Sequence, residues 1–343
     1  MSLMRILSGN RLHQVLRCCS LVLVTALFLF TQDSLSDQPA DRPLSQEREW
    51  AEQGDPHAQY RLGVRLEQGL GIRSDPAAAA YWYRRAAEQG HMRAAHNLGN
   101  LYLKGRGVNA DPVQARRWFE QAAQAGYAPA QNNLGYLHAT GKGGGADPVA
   151  ARSWYRKAAE QGLARAQLNL ALMLLSGDGG APDPEEAVKW LARAAAQGLP
   201  PAQRELGLAL RDGRGIEASS DGAFLWLSKA AMQGDAQAQY ELGRMHGKGD
   251  LVPLDYQLAA FWYHRAALQG HPQAQYLLCL SHALGKGVVA DAARARAWCT
   301  LAREGGVQEA DNTLADLEPA LDEQEQKRAA EILASLRRSI RGE

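Results

Sequence analysis

Cysteine is scarce. The chain has 4 in 343 residues, at positions 18, 19, 279 and 299, too few for a cross-linked scaffold or a cysteine-rich metal cluster. Neither sign of charge is in excess, since 38 basic against 37 acidic residues leave a net +1, so there is no electrostatic case for nucleic acid. Long apolar runs are missing as well. The one candidate, Leu21 to Phe30, falls short of the roughly 20 residues a bilayer span needs even when extended to Cys18–Thr31. No nucleophile stands beside a base, and no paired carboxylates or metal ligands occur at a recognisable spacing, so the sequence predicts no catalytic residue, no cofactor and no metal. His138, His246 and His282 share one column, but one imidazole per helix without a supporting carboxylate makes a poor ligand set.

What is present is a period. Tryptophan recurs every 36 residues at Trp82, Trp118, Trp154, Trp190, Trp226, Trp262 and Trp298, and a leucine column (Leu62, Leu98, Leu134 onward) keeps the same register. A unit of this size buries its apolar face only by stacking on its neighbours, so the period predicts a solenoid. Each copy holds two stretches of helical periodicity around a Gly-x-Gly turn. Ala58, Leu62 and Leu66 lie on one face of a first helix, and Ala79, Tyr83 and Ala86 on one face of a second. Asp75, Asp111, Asp147 and Asp183, each followed by Pro, start the second helices. Pro56, Pro200 and Pro272 start first helices, and the glycines at 90 and its equivalents end second ones. Two copies are worn. Ser219 replaces the capping Asp in the fifth, and in the sixth the Gly-Lys-Gly is displaced to residues 247–249, so both turns are expected to bulge.

The fold expected is thus an all-α, right-handed α-solenoid of seven helix-turn-helix repeats with helical caps. Residues 1–36, with Arg5, Arg11 and Arg17 ahead of the short apolar run, read as a signal peptide or an N-terminal membrane anchor. Residues 37–54 form a linker and a capping helix. The repeats occupy 55–90, 91–126, 127–162, 163–198, 199–234, 235–270 and 271–306, and residues 307–343 form C-terminal capping helices. The leader predicts an exported protein, in a periplasm or anchored in the inner membrane facing it, with membrane contact only through an uncleaved N-terminal segment. Losing that leader removes three Arg and one Asp from a chain of net +1, leaving −1. Cys279 and Cys299, on the two helices of the seventh copy, are either a disulfide or two small core residues.

The stretches Ala-Gln-Tyr-Arg-Leu-Gly (58–63), Gly-Arg-Gly-Val (105–108) and Trp-Tyr-Arg-Arg-Ala-Ala-Glu-Gln-Gly (82–90) resemble the Sel1-like repeat, a relative of the tetratricopeptide repeat. The resemblance covers residues 55–306. It implies a non-catalytic scaffold that binds a protein or an extended peptide on a concave surface lined by the first helices. Some relatives are associated with penicillin-type ligands, which makes a β-lactam-binding or β-lactamase-like hydrolase of the cysteine-rich kind the alternative, although no Ser-x-x-Lys motif is present. On the first helices, Asn97, Asn133 and Asn169 repeat in one column with Asn100 and Asn132 nearby. An amide both donates and accepts, so such a ladder can pair with a peptide backbone of any sequence. Tyr60, His96 and Tyr136 add aromatic surface, completing the expected partner-binding patch.

Overall fold

A computed structural model describes residues 43–249 and 251–342; the leader read at residues 1–36 lies outside the described residues. Within them the chain is helical, with 17 α-helices, one short 3-10 turn and no strand. It divides into two units, residues 1–147 and 148–343.

The first unit contains α1 (Leu44–Glu52), α2 (Pro56–Gln68), α3 (Pro76–Glu88), α4 (Met92–Lys104), α5 (Pro112–Gln124) and α6 (Ala128–Thr140), each packed on the next. Side chains start these helices where the sequence places them. Asp55 accepts from the Ala58 N–H at 2.6 Å, and Asp75 from Ala77 and Ala78 at 3.1 and 3.0 Å. Before α4 the cap is unexpected: Nδ1 of His91 accepts from Ala94 N at 3.2 Å. Leucines and small residues form the core, with Ala58, Ala94 and Ala130 fully buried on the first helices. The residues after Trp82 and Trp118 are fully buried. Tyr83 and Phe119 lie so flat on Gly63 and Gly99 that a Cβ there would stand 2.6 and 2.7 Å from the rings. At the N-terminal end, buried Glu47 of α1 faces Arg61 and Arg65 of α2 at 2.7 and 2.6 Å, which fixes the cap through charge as well as packing.

The second unit runs from α7 (Pro148–Glu160) and α8 (Ala164–Ser176) through α9 (Pro184–Ala196), α10 (Pro200–Asp212), α11 (Ser220–Met232) and α12 (Ala236–Lys248). It continues with α13 (Tyr256–Leu268), α14 (Pro272–Leu284) and α15 (Ala292–Glu304), and closes with α16 (Glu309–Leu317) and α17 (Glu323–Arg341). The expected bulges do not interrupt its helices. The Ser219 hydroxyl accepts from Gly222 N at 3.1 Å, and α11 and α12 both have the 13-residue length of their neighbours. In the sixth copy Gly249, at φ 69°, stays in the column that ends every first helix, while Gly247 lies inside α12; Leu251 takes the place of the second turn glycine. Leu333, Leu336 and Ile340 of α17 lean on the core of the seventh copy.

A buried glutamine column, absent from the sequence reading, stitches consecutive copies. Nε2 of Gln59, Gln167, Gln203, Gln239 and Gln275 donates to the carbonyl eight residues earlier, at the end of the preceding helix, over 3.0 to 3.2 Å. The Gln ending the next helix, such as Gln89 or Gln197, donates in turn to its Oε1 at 2.8 Å. The second copy has alanine at both places, Ala95 and Ala125. There Gln121 satisfies the Ala87 carbonyl instead, at 2.6 Å. Cys279 and Cys299 occupy the columns of Gly63 and Tyr83, where the two helices of a copy come closest, and with Cα atoms 5.2 Å apart they form a disulfide.

Candidate partner-binding site

The predicted patch falls mainly in the first unit, on α4 and α6. Its asparagines are not independent. The ring of His96 sits between them, edge-on to Tyr127 at 5.3 Å and tilted over Phe119 at 5.7 Å. Nδ1 of His96 lies 3.3 Å from Oδ1 of Asn97, which can only accept, so Nδ1 carries the proton. Nε2 faces the amide nitrogen of Asn133 at 3.1 Å, and so accepts, while the Asn100 amide nitrogen lies over the ring, 3.3 Å from Nε2 and 3.5 Å from Nδ1. Asn133 spends its other amide proton on Oδ1 of Asn100, at 3.1 Å.

The chain of bonds continues into the core. Asn97 hydrogen-bonds the Tyr83 side chain, and the Tyr83 hydroxyl donates to Oε2 of Glu67 at 2.8 Å. Burial, reinforced by the Glu67 charge, holds Tyr83 in its neutral form. His96 is neutral too: burial lowers its pKa to about 4, against a weaker opposing effect of the bond to Asn97. With both ring nitrogens engaged, His96 orders the face and has no nitrogen left to move a proton for a substrate. Tyr83 and Glu67 were invisible as site residues in the sequence. The one available signal was that the column after tryptophan is aromatic in most copies.

The remaining predicted residues are dispersed. Asn132 is only 6% exposed, and its amide reaches Oδ1 of Asn133 at 3.4 Å, so it supports the network from beneath. Tyr136 is exposed, and Lys142 lies with Nζ 2.9 Å from its hydroxyl and 5.1 Å from its ring centroid. Tyr60, on α2, stacks on His91 at 4.6 Å. Asn169 is half-buried on α8 of the second unit.

The Sel1 repeat matches this chain seven times, at residues 56–91, 93–127, 128–163, 164–199, 200–235, 236–271 and 272–307. The chain belongs to the Sel1-repeat family. Sel1 repeats are protein-interaction scaffolds, typically non-catalytic. A Sel1 repeat protein from Oxalobacter formigenes is similar over 90% of this chain and 91% of its own, with 32% identity and a TM-score of 0.68. A protective antigen of uropathogenic Escherichia coli with an SLR fold is 28% identical over 84% of this chain and 78% of its own, with a TM-score of 0.42. Among curated proteins none matches. The first helices α4 and α6 of this chain carry the asparagine and histidine network.

Proposed function

We propose that this Sel1-repeat chain is a non-catalytic adaptor that holds an extended segment of a partner protein against the α4 and α6 face, and that it works outside the cytoplasm, in a bacterial cell envelope. The observation that carries the reading is the ordering of the amides. Asn97 and Asn133 spend amide protons on Asn100, on His96 and on Tyr83, yet each Oδ1 keeps a second lone pair. The face is therefore a fixed row of acceptors at half-buried positions, suited to the N–H groups of a backbone, with the exposed ring of Tyr136 as an anchor. Fixing the rotamers in the free protein removes part of the ordering cost of binding.

The ordered network changes the expectation for the asparagines. Asn97→Ala with Asn133→Ala removes bonds worth about 1 kcal/mol each, so both stability and partner affinity fall. Tyr136→Ser separates the two, because an exposed side chain leaves the fold intact. A partner recovered from envelope extract on the wild-type chain should bind Tyr136→Ser about tenfold or more weakly at an unchanged melting temperature. Unchanged affinity in both variants would move the binding surface elsewhere. The location rests on the leader; a full-length product in the cytosolic fraction would contradict it.

A further inference from the structure

In the second unit, α17 crosses the seventh copy and borders an open cleft of about 620 Å³ with α13, α14 and α15. Its walls are apolar, with Phe261, Trp298 and Leu336 among them. Its charged lining is of one sign, Arg265 and Arg294, with no carboxylate, while burial favours the neutral forms of His264 and His282. Arg265 lies 5.8 Å from the ring centroids of both Phe261 and Trp262 and makes no ion pair among the described residues. Arg294 reaches Asp291 at 3.5 Å, but Arg328 holds that same carboxylate, so the guanidinium groups outnumber it. His264 stands edge-on to Trp298 at 5.9 Å.

Part of this grouping is common to the repeat, since Arg265 has Lys229 and His282 has His246 one copy earlier, but three of its members are not. The column of Phe261 holds Leu225 one copy earlier, that of His264 holds Ser228, and that of Arg294 holds Leu258. The second guanidinium, that of Arg294, is thus added at the last copy, where α17 lies beside it. Clefts of 300 to about 1,000 Å³ with apolar walls and a few convergent polar groups are the usual size for a small molecule. Walls of low polarity strengthen the attraction of the guanidinium groups for an anion, and the exposed ring of Phe261 offers a face to a flat body.

We propose that this cleft binds a small amphipathic anion, a carboxylate or sulfonate on an aromatic body, with Arg265 and Arg294 holding the acid group and Phe261 the ring. The site is independent of the partner-binding face, so either proposal stands without the other.

Anilinonaphthalene sulfonate and its uncharged parent, phenylnaphthylamine, differ only in the acid group, and fluorescence titration of the full chain with each separates charge recognition from simple apolar adsorption. The wild type should bind the sulfonate saturably, about tenfold or more tightly than the neutral dye. Arg265→Gln combined with Arg294→Gln should remove that preference and leave the neutral dye's binding unchanged. Ser335→Trp, an exposed position of α17 on the cleft wall, should block both dyes. Thermal melts confirm that each variant is folded. Equal affinity of the wild type for the two dyes, a preference that survives the double variant, or sulfonate binding unaffected by Ser335→Trp in a folded protein would each overturn the assignment.

Discussion

His96 makes the asparagine network sensitive to acid. Its Nε2 faces the Asn133 amide donor, so a proton added there would set donor against donor, and burial already opposes the charge. The folded pKa of about 4 lies below the ordinary 6.5, so the unfolded chain binds the extra proton first. The stabilisation is complete above pH 6.5 and is lost progressively as pH falls toward 4, by on the order of 3 kcal/mol from this residue. An NMR titration of the His96 ring should give a midpoint near 4; one near 6.5 would show that the ring is not held between amides. His264, His271 and His282 are lowered for the same first reason, burial, and add to the acid sensitivity of the second unit. The asparagine column was legible from the 36-residue spacing alone. That His96 and Asn100 tie Asn97 and Asn133 into one network was not, because the bonds depend on how far His96 reaches between α4 and α6, a distance that no spacing along the chain encodes.

At the scale of the element, the second turn glycine shows why the repeat is strict. Gly107 has φ 72°, and a Cβ there would stand 2.3 Å from the Pro76 carbonyl carbon, where the turn of one copy lies against the start of α3 in the copy before. Gly71, at φ 69°, has no preceding copy to meet, and its hypothetical Cβ finds only Arg65 Nη1 at 3.9 Å. Gly71→Ala should therefore cost about 1 kcal/mol, the backbone term alone, and Gly107→Ala distinctly more, about 2 to 4 kcal/mol. Equal shifts in urea midpoints would refute the role given to the contact. The N-terminal cap offers a second test. Glu47→Ala leaves the guanidinium groups of Arg61 and Arg65 buried against each other, which should cost about 3 to 5 kcal/mol and open α1 to proteolysis between Gln53 and Asp55; protection equal to wild type would show the ion pairs to be dispensable. Helix limits were legible to within a residue or two, since Asp-Pro starts and glycine ends are local signals. The His91 cap was not, because histidine seldom serves there. The glutamine column also escaped notice, because Gln on a helix ordinarily reads as a solvated side chain.

For the molecule as a whole, the period carries the fold: seven copies with matching columns leave little besides stacked helices that could bury the leucine and alanine faces. The same columns would have sharpened one open question. Cys279 and Cys299 fall where Gly63 meets Tyr83 and Gly99 meets Phe119, and reading the seventh copy against the first places the two sulfurs together. What the period cannot report is the partner, because binding is written in the positions that depart from it. The central claim is that the partner lies on the α4 and α6 face and not on the second helices. A photo-cross-linking amino acid placed at Tyr136, exposed on α6, and separately at Val113, exposed on α5, tests this in the intact chain. The account predicts a discrete cross-linked protein from position 136 and none from position 113; cross-linking from 113 alone, or equally from both, would contradict it.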